Sequence, residues 1–125
     1  MFQGCNSLES LTLTCPKVEN IDKMFSTTSG FGNVKNLTLW DLSSCTLAGG
    51  STAVFSNNTN LRNVTLSNPK RWGANMAFFN CNNLIKFDGY KLGNVTSCFR
   101  MFDGCSKLKT VTLRHCGNNN ELNVG

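Results

Sequence analysis

Apolar residues recur along the chain in short alternating segments that are separated by polar turns. In the first segment Leu11 and Leu13 alternate with threonine, and Leu37 and Leu39 repeat the arrangement. An alternation of apolar and polar residues with a period of two is typical of a β-strand that buries one face. The pattern predicts five short strands, at residues 11–13, 37–39, 64–66, 87–89 and 111–113.

These segments belong to an internal repeat. The sequence MFQGCNSLESLTL, which starts at Met1, reappears as MFDGCSKLKTVTL starting at Met101, and three further copies lie between them. Each copy carries a phenylalanine ahead of its alternating segment. The phenylalanines are spaced 23, 30, 23 and 24 residues apart and are Phe2, Phe25, Phe55, Phe78 and Phe102. Self-similarity at a nearly constant period of this length is typical of a solenoid.

Each copy presents an apolar row that it cannot bury alone, so neighbouring copies must stack to complete a core. We predict one parallel sheet of short strands, with turns or irregular and short helical segments on the opposite wall. The phenylalanines are expected to stack inside, and Trp72 to pack inside as well. The predicted organisation is a single solenoid domain over 1–125 with about five repeats, at 1–23, 24–53, 54–76, 77–100 and 101–125.

The repeat resembles that of a known family. Its template, F-x-x-C-x-x-L-x-x-[LVF]-x-L, is similar to the repeat of BspA-like leucine-rich repeat proteins of bacterial cell surfaces. The first copy matches at Phe2, Cys5, Leu8 and Leu11, whereas the third has Asn58 in place of the cysteine. The resemblance implies a curved leucine-rich-repeat solenoid in a cell-surface or extracellular protein used for adhesion. It implies no particular ligand.

The net charge of the chain indicates which kind of binding partner it favours. Twelve basic and seven acidic residues give a formal net charge of +5. A mild basic excess favours an acidic partner, although ordinary solubility charge explains it equally well.

No segment approaches the roughly 18 apolar residues of a membrane-spanning helix, so we predict no membrane insertion by this segment. Because the chain starts inside a repeat, we expect a fragment of a longer protein whose flanking domains cap the solenoid ends.

Seven cysteines raise the question of a disulfide framework or a metal site. Cys5, Cys81 and Cys105 occupy one repeat position, where cysteine behaves as a small buried apolar residue. No C-x-x-C pair occurs, and the total is odd, which argues against zinc and against a disulfide framework. We predict reduced, slowly reacting thiols at these three positions and no bound metal.

The remaining reactive residues form no catalytic pattern. His115 precedes Cys116, and neighbouring residues on an extended chain point in opposite directions. The carboxylates offer no pair at equivalent repeat positions, and no glycine-rich phosphate loop occurs. We predict a protein that is not an enzyme and that uses no cofactor.

The residues that point out of the predicted sheet are the candidates for binding. Tryptophan, tyrosine and arginine are enriched at binding hot spots, although threonine and aromatic residues also simply favour strands. If Leu11 and Leu13 face inward, the residues between and beside them face outward in every copy. The candidate ligand-binding residues are Trp40, Tyr90, Arg62, Lys86 and Arg114.

Two classes of function remain open. One is a ligand-binding or adhesion module that recognises a protein or glycan, of acidic character, through the concave sheet face. The other is a structural spacer or assembly unit in a larger surface, phage or virion appendage, with no ligand of its own. The first predicts measurable affinity at the sheet, and the second predicts an inert face. Neither includes a nucleic acid as partner.

Overall fold

The computed structural model of the chain describes residues 8–21, 33–47 and 54–115. These ranges contain eight β-strands and no helix. The strands are β1 (Ser10–Thr14), β2 (Asn36–Trp40), β3 (Thr46–Leu47), β4 (Asn63–Ser67), β5 (Arg71–Gly73), β6 (Lys86–Tyr90), β7 (Val95–Ser97) and β8 (Thr110–Arg114). The five strands predicted from the alternation are confirmed, and each extends one residue further at both ends.

The five long strands form one parallel sheet in the order β1-β2-β4-β6-β8. Equivalent repeat positions lie side by side: Leu11 pairs with Leu37, Leu37 with Val64, and Val64 with Phe87. Each repeat therefore contributes one rung of the sheet, and successive rungs are ~4.8 Å apart. The chain is a parallel β-solenoid, as predicted.

The opposite wall contains a second parallel sheet that the sequence did not indicate. Its strands follow the order β3-β5-β7, and their register shifts between Trp72 and Gly73. Strands of two or three residues are too short to show an alternating pattern. The rest of this wall consists of turns and irregular segments, as predicted, and no short helical segment occurs in the described ranges.

The predicted phenylalanine column is confirmed for the three members that the structure describes. The ring centroids of Phe55 and Phe78 are 5.2 Å apart with an interplanar angle of 13°, and those of Phe78 and Phe102 are 5.7 Å apart with an angle of 9°. We call these three rings the aromatic spine. Trp72 is buried and meets Phe78 edge-on, so it packs in the core as predicted. Phe2 and Phe25 lie outside the described residues.

The cysteine position of the repeat is part of the core. The Cys81 thiol donates a hydrogen bond to the Phe55 carbonyl at 3.0 Å, and the Cys105 thiol donates to the Phe78 carbonyl at 3.1 Å. Asn58 takes the cysteine position in its own repeat, and its Nδ2 donates to the Phe55 carbonyl at 3.0 Å. The two thiol bonds join neighbouring rungs, whereas the Asn58 bond lies within one repeat. Cys81 and Cys105 are free thiols.

Thiol reactivity tests this arrangement. Burial raises the pKa of Cys81 to about 12 and that of Cys105 to about 11. Because the thiolate is the reactive form, we expect both to be alkylated at least about tenfold more slowly in the folded chain than in guanidinium. Pulsed alkylation followed by peptide mass spectrometry measures both rates. Fast labelling of the folded chain, or a peptide bridged between Cys81 and Cys105, would contradict the prediction. Cys5 lies outside the described residues.

Candidate functional site

The outward face of the larger sheet carries columns of side chains with one member per rung. Burial alternates along the strands as predicted: in β2 the inward Leu37 and Leu39 are buried, and Trp40 is exposed. The middle column comprises Thr12, Thr38, Thr65, Asp88 and Thr112. The column at the strand ends comprises Thr14, Trp40, Ser67, Tyr90 and Arg114.

The structure divides the five candidate residues between two edges of this face. Trp40, Tyr90 and Arg114 are the last residues of their strands, whereas Lys86 begins β6 and Arg62 precedes β4. Lys86 and Tyr90 are four positions apart on the extended strand, which corresponds to ~13 Å at ~3.3 Å per residue. Three of the candidates are therefore grouped at the strand ends, and two lie at the strand starts.

Tyr90 lies at the centre of a cationic cluster. The Lys91 ammonium is 5.4 Å from the centroid of the Tyr90 ring, and the Arg114 guanidinium carbon is 5.6 Å from it. The His115 ring packs edge-on against the same ring, with centroids 5.3 Å apart. We call Tyr90, Lys91, Arg114 and His115 the tyrosine cluster. Cations at this distance are attracted to the electron-rich face of an aromatic ring.

Two members of the tyrosine cluster, Lys91 and His115, were not predicted as site residues. They directly follow strands, and strand alternation would point them away from Tyr90. Both adopt a left-handed conformation, with φ of 55° and 52°, so the chain leaves the strand direction there. Asp41 and Asn68 have the same conformation at the equivalent positions. Asparagine and aspartate favour this conformation, which is the signal that sequence analysis missed.

Arg114 is held by an ion pair across two rungs. Its Nη2 donates to the two carboxylate oxygens of Asp88 at 3.3 and 3.2 Å. The Asp88 side chain is only 19% exposed and that of Arg114 is 50% exposed. The bond therefore orients the guanidinium beside the Tyr90 ring while leaving part of it open to solvent. Asp88 also offsets part of the positive charge of the cluster.

Trp40 extends the same edge away from the tyrosine cluster. It lies at the end of β2, two strands from Tyr90, which corresponds to ~10 Å between backbones. Its side chain is 37% exposed, and its carbonyl accepts a hydrogen bond from the Cys15 amide at 2.9 Å. Ser67, which ends the strand between them, is buried. The strand-end edge thus presents two aromatic side chains on an ordered backbone.

A row of basic residues marks the other edge. The amide of each residue that precedes a long strand donates to the carbonyl of its counterpart one rung away: Lys35 to Glu9 and Arg62 to Lys35, both at 2.8 Å. The ladder continues through Ile85, whose carbonyl accepts a hydrogen bond from the Lys109 amide at 2.9 Å. We call Lys35, Arg62, Lys86 and Lys109 the basic edge.

Neither a metal-binding cluster nor a membrane-spanning helix occurs in the part of the chain that the structure describes. In residues 8–21, 33–47 and 54–115 no three His, Cys, Asp or Glu side chains are grouped so that they could hold a metal ion. No helix in these ranges is long and apolar enough to cross a membrane.

The repeat is also found by comparison with protein families. A family model described as a BspA-type leucine-rich repeat region matches residues 31–123 in six copies. The match covers well over half of the chain and includes β2, β4, β6 and β8, and with them all five candidate residues. Neither a curated protein nor a solved structure matches the chain.

Proposed function

Because the chain belongs to the BspA-type leucine-rich repeat family, we propose that it is a binding module of a cell-surface or extracellular protein and serves in adhesion. Its ligand is a protein or glycan with acidic groups, and it binds to the outward face of the larger sheet. The observation that carries the proposal is the tyrosine cluster, in which Lys91, Arg114 and His115 surround one aromatic ring.

The chemistry of the strand-end edge suits such a ligand. Trp40 and Tyr90 offer large rigid surfaces that gain affinity when they are removed from water. Both belong to hydrogen-bonded strands, so binding orders few groups and loses little conformational entropy. Lys91 and Arg114 attract an acidic partner over a longer range and increase its association rate. That increase diminishes with added salt.

We propose no catalytic role. An enzyme nucleophile or general base needs access to substrate and a pKa near the working pH. The thiols of Cys81 and Cys105 donate to backbone carbonyls, and burial raises the pKa of each well above neutrality. His115 packs against Tyr90 and has no carboxylate among its described contacts. The residues of the site are therefore assigned to binding alone.

Trp40→Ala and Tyr90→Ala test the proposal. We expect each substitution to weaken binding by more than about 1 kcal/mol, as loss of a buried aromatic contact does. The melting temperature is expected to change little, because Trp40 is partly exposed and neither residue is in the spine. A screen of glycans and extracellular-matrix proteins identifies the ligand, and titration of each variant against it measures the loss.

Phe99→Ala is the matched control for these variants. Phe99 follows β7 on the opposite wall, and its side chain is 65% exposed. The same kind of truncation there removes an aromatic surface that the proposal does not use. We expect unchanged affinity. Full affinity in both Trp40→Ala and Tyr90→Ala, or no binding across the screen, would favour the structural spacer instead.

A further inference from the structure

We infer that the basic edge is a second binding surface, and that it binds a linear acidic polysaccharide. The polymer lies across the strand starts of the larger sheet and runs from rung to rung along the solenoid. This surface goes beyond the proposed function, because it uses no residue of the tyrosine cluster and lies ~13 Å from it along the strand.

The spacing of the basic edge follows from the backbone. Lys35, Arg62 and Lys109 belong to one hydrogen-bonded ladder, and Lys86 follows the remaining member, Ile85. One cation therefore stands on each of four successive rungs, which are ~4.8 Å apart, and Lys86 lies one position further along its strand than the other three. A sugar in an extended polysaccharide advances by a similar length, so successive acidic sugars can meet successive cations.

The side chains of Arg62, Lys86 and Lys109 are exposed at the strand starts. Between buried Leu61 and Val64 both intervening residues are exposed, and the same holds between Leu84 and Phe87. Strict alternation would turn one residue of each pair inward. Instead, Arg62, and in the next repeat both Ile85 and Lys86, lie on the accessible edge.

Most of this positive charge is not neutralised within the described ranges. Lys35 pairs with Glu9 at 3.4 Å. The other two ion pairs there, Arg100 with Asp103 and Arg114 with Asp88, lie elsewhere. Arg62, Lys86 and Lys109 thus stand on adjacent rungs with like charges and no ion-pair partner in this part of the chain. Like charges on neighbouring strands repel, and a polyanion relieves that repulsion.

The neighbouring polar column favours a sugar polymer over a nucleic acid. Asn63 Nδ2 donates to Asn36 Oδ1 at 2.8 Å, and Asn36 Nδ2 donates to Ser10 Oγ at 3.1 Å. This column of amides and a hydroxyl lies beside the cations and matches sugar hydroxyl groups in hydrogen-bonding character. Ile85, 37% exposed, adds a small apolar surface. Single-stranded nucleic acids are held by base stacking on aromatic rings, and no described residue of this edge is aromatic.

The test compares two polymers that carry different acidic groups. The full chain is titrated at low salt against heparin, which is sulfated, and against polygalacturonate, which carries carboxylates. We expect at least one to bind, with an affinity that falls as salt is added, since exposed charges are screened. The Arg62→Gln/Lys86→Gln variant is expected to bind that polymer at least tenfold more weakly. Lys86→Gln/Lys109→Gln removes other members of the same edge and is expected to show a comparable loss.

The matched control is Lys70→Gln/Arg71→Gln. It removes one lysine and one arginine, both exposed, at the start of β5 on the opposite wall. The change in net charge equals that of Arg62→Gln/Lys86→Gln, so we expect affinity within twofold of the unsubstituted chain. Equal losses in the two variants would show that net charge alone binds the polymer and would overturn the inference.

Three further outcomes would overturn this inference. Trp40→Ala is expected to leave polymer binding unchanged; if it abolishes binding, the polymer lies at the strand ends and the basic edge is not its site. Failure of both polymers to bind at low salt would also overturn the inference, and so would tighter binding of a single-stranded oligonucleotide of equal charge. Failure of both polymers and tighter binding of the oligonucleotide do not bear on the ligand that the Trp40 and Tyr90 variants test, whereas loss of polymer binding in Trp40→Ala would assign the polymer to the site of the proposed function.

Discussion

Truncation of Phe78 to alanine is expected to lower the free energy of unfolding by about 4 kcal/mol, within the range for large aromatic truncations in a core. Phe78 is fully buried in the aromatic spine, between Phe55 at 5.2 Å and Phe102 at 5.7 Å. Phe87 contacts it from the side, also at 5.2 Å. The truncation leaves a cavity bounded by rings that belong to three rungs, so collapse of one rung cannot fill it.

Guanidinium unfolding of Phe78→Ala and of two further phenylalanine variants measures these losses in the free energy of unfolding. Phe99→Ala, the same substitution at a residue that is 65% exposed, is expected to cost less than about 0.5 kcal/mol, as exposed substitutions usually do. Phe55→Ala is expected to cost about 3 kcal/mol or more, because Phe55 is buried and stacked on Phe78. A loss below about 1 kcal/mol for Phe78→Ala would mean that the spine does not support the core.

Alkaline pH is expected to destabilise the chain, and Cys81 accounts for a large part of the loss. Burial raises the pKa of this thiol from 9.0 to about 12. Between these two pH values the unfolded chain loses the proton and the folded chain retains it, so stability falls as pH rises. The contribution of Cys81 is fully present below pH 9. Its complete loss amounts to about 4 kcal/mol, at about 1.4 kcal/mol per pKa unit.

Unfolding curves recorded in reductant from pH 7 to pH 11 test this contribution. Cys81→Ala is expected to be less stable at pH 7, because the thiol and its hydrogen bond to Phe55 are lost. Above pH 9 its stability is expected to fall less steeply than that of the unsubstituted chain. Cys98→Ala is the matched control: burial raises the pKa of Cys98 too, but its shift is smaller. Parallel pH profiles for the unsubstituted chain and Cys81→Ala would refute the assignment.

The rungs of the larger sheet are predictable from the amino-acid sequence. The apolar alternation of Leu37 and Leu39 marks both the strand and its buried face, because residues two apart on a strand share one side. The repeat then aligns equivalent positions, since identical units stacked in parallel place like residues next to one another. The column that contains Trp40 and Tyr90, and the stacking of Phe55 on Phe78, follow from these two regularities.

Where the repeats differ in sequence, the packing of their side chains is known only from the folded structure. Gly89 stands where other rungs have leucine, and Leu92 fills the space: a Cβ at Gly89 would be 2.4 Å from the Leu92 Cδ1 atom. The inward Val111 and Leu113 of β8 are each 38% exposed, whereas the equivalent residues of β4 are buried. Alternation predicts the direction of a side chain, but its burial depends on which neighbour covers it.

The candidate site combines both kinds of information. Tyr90 and Arg114 share a column because of the repeat, and that pairing is predictable from spacing. Lys91 and His115 join them only because each adopts a left-handed conformation directly after its strand. The short strands of the opposite wall form only where neighbouring rungs pair them. Period and spacing are properties of a single chain segment. Contacts between unlike residues on different rungs depend on the stacked structure, and for that reason the sequence predicted the sheet and the structure defined the site.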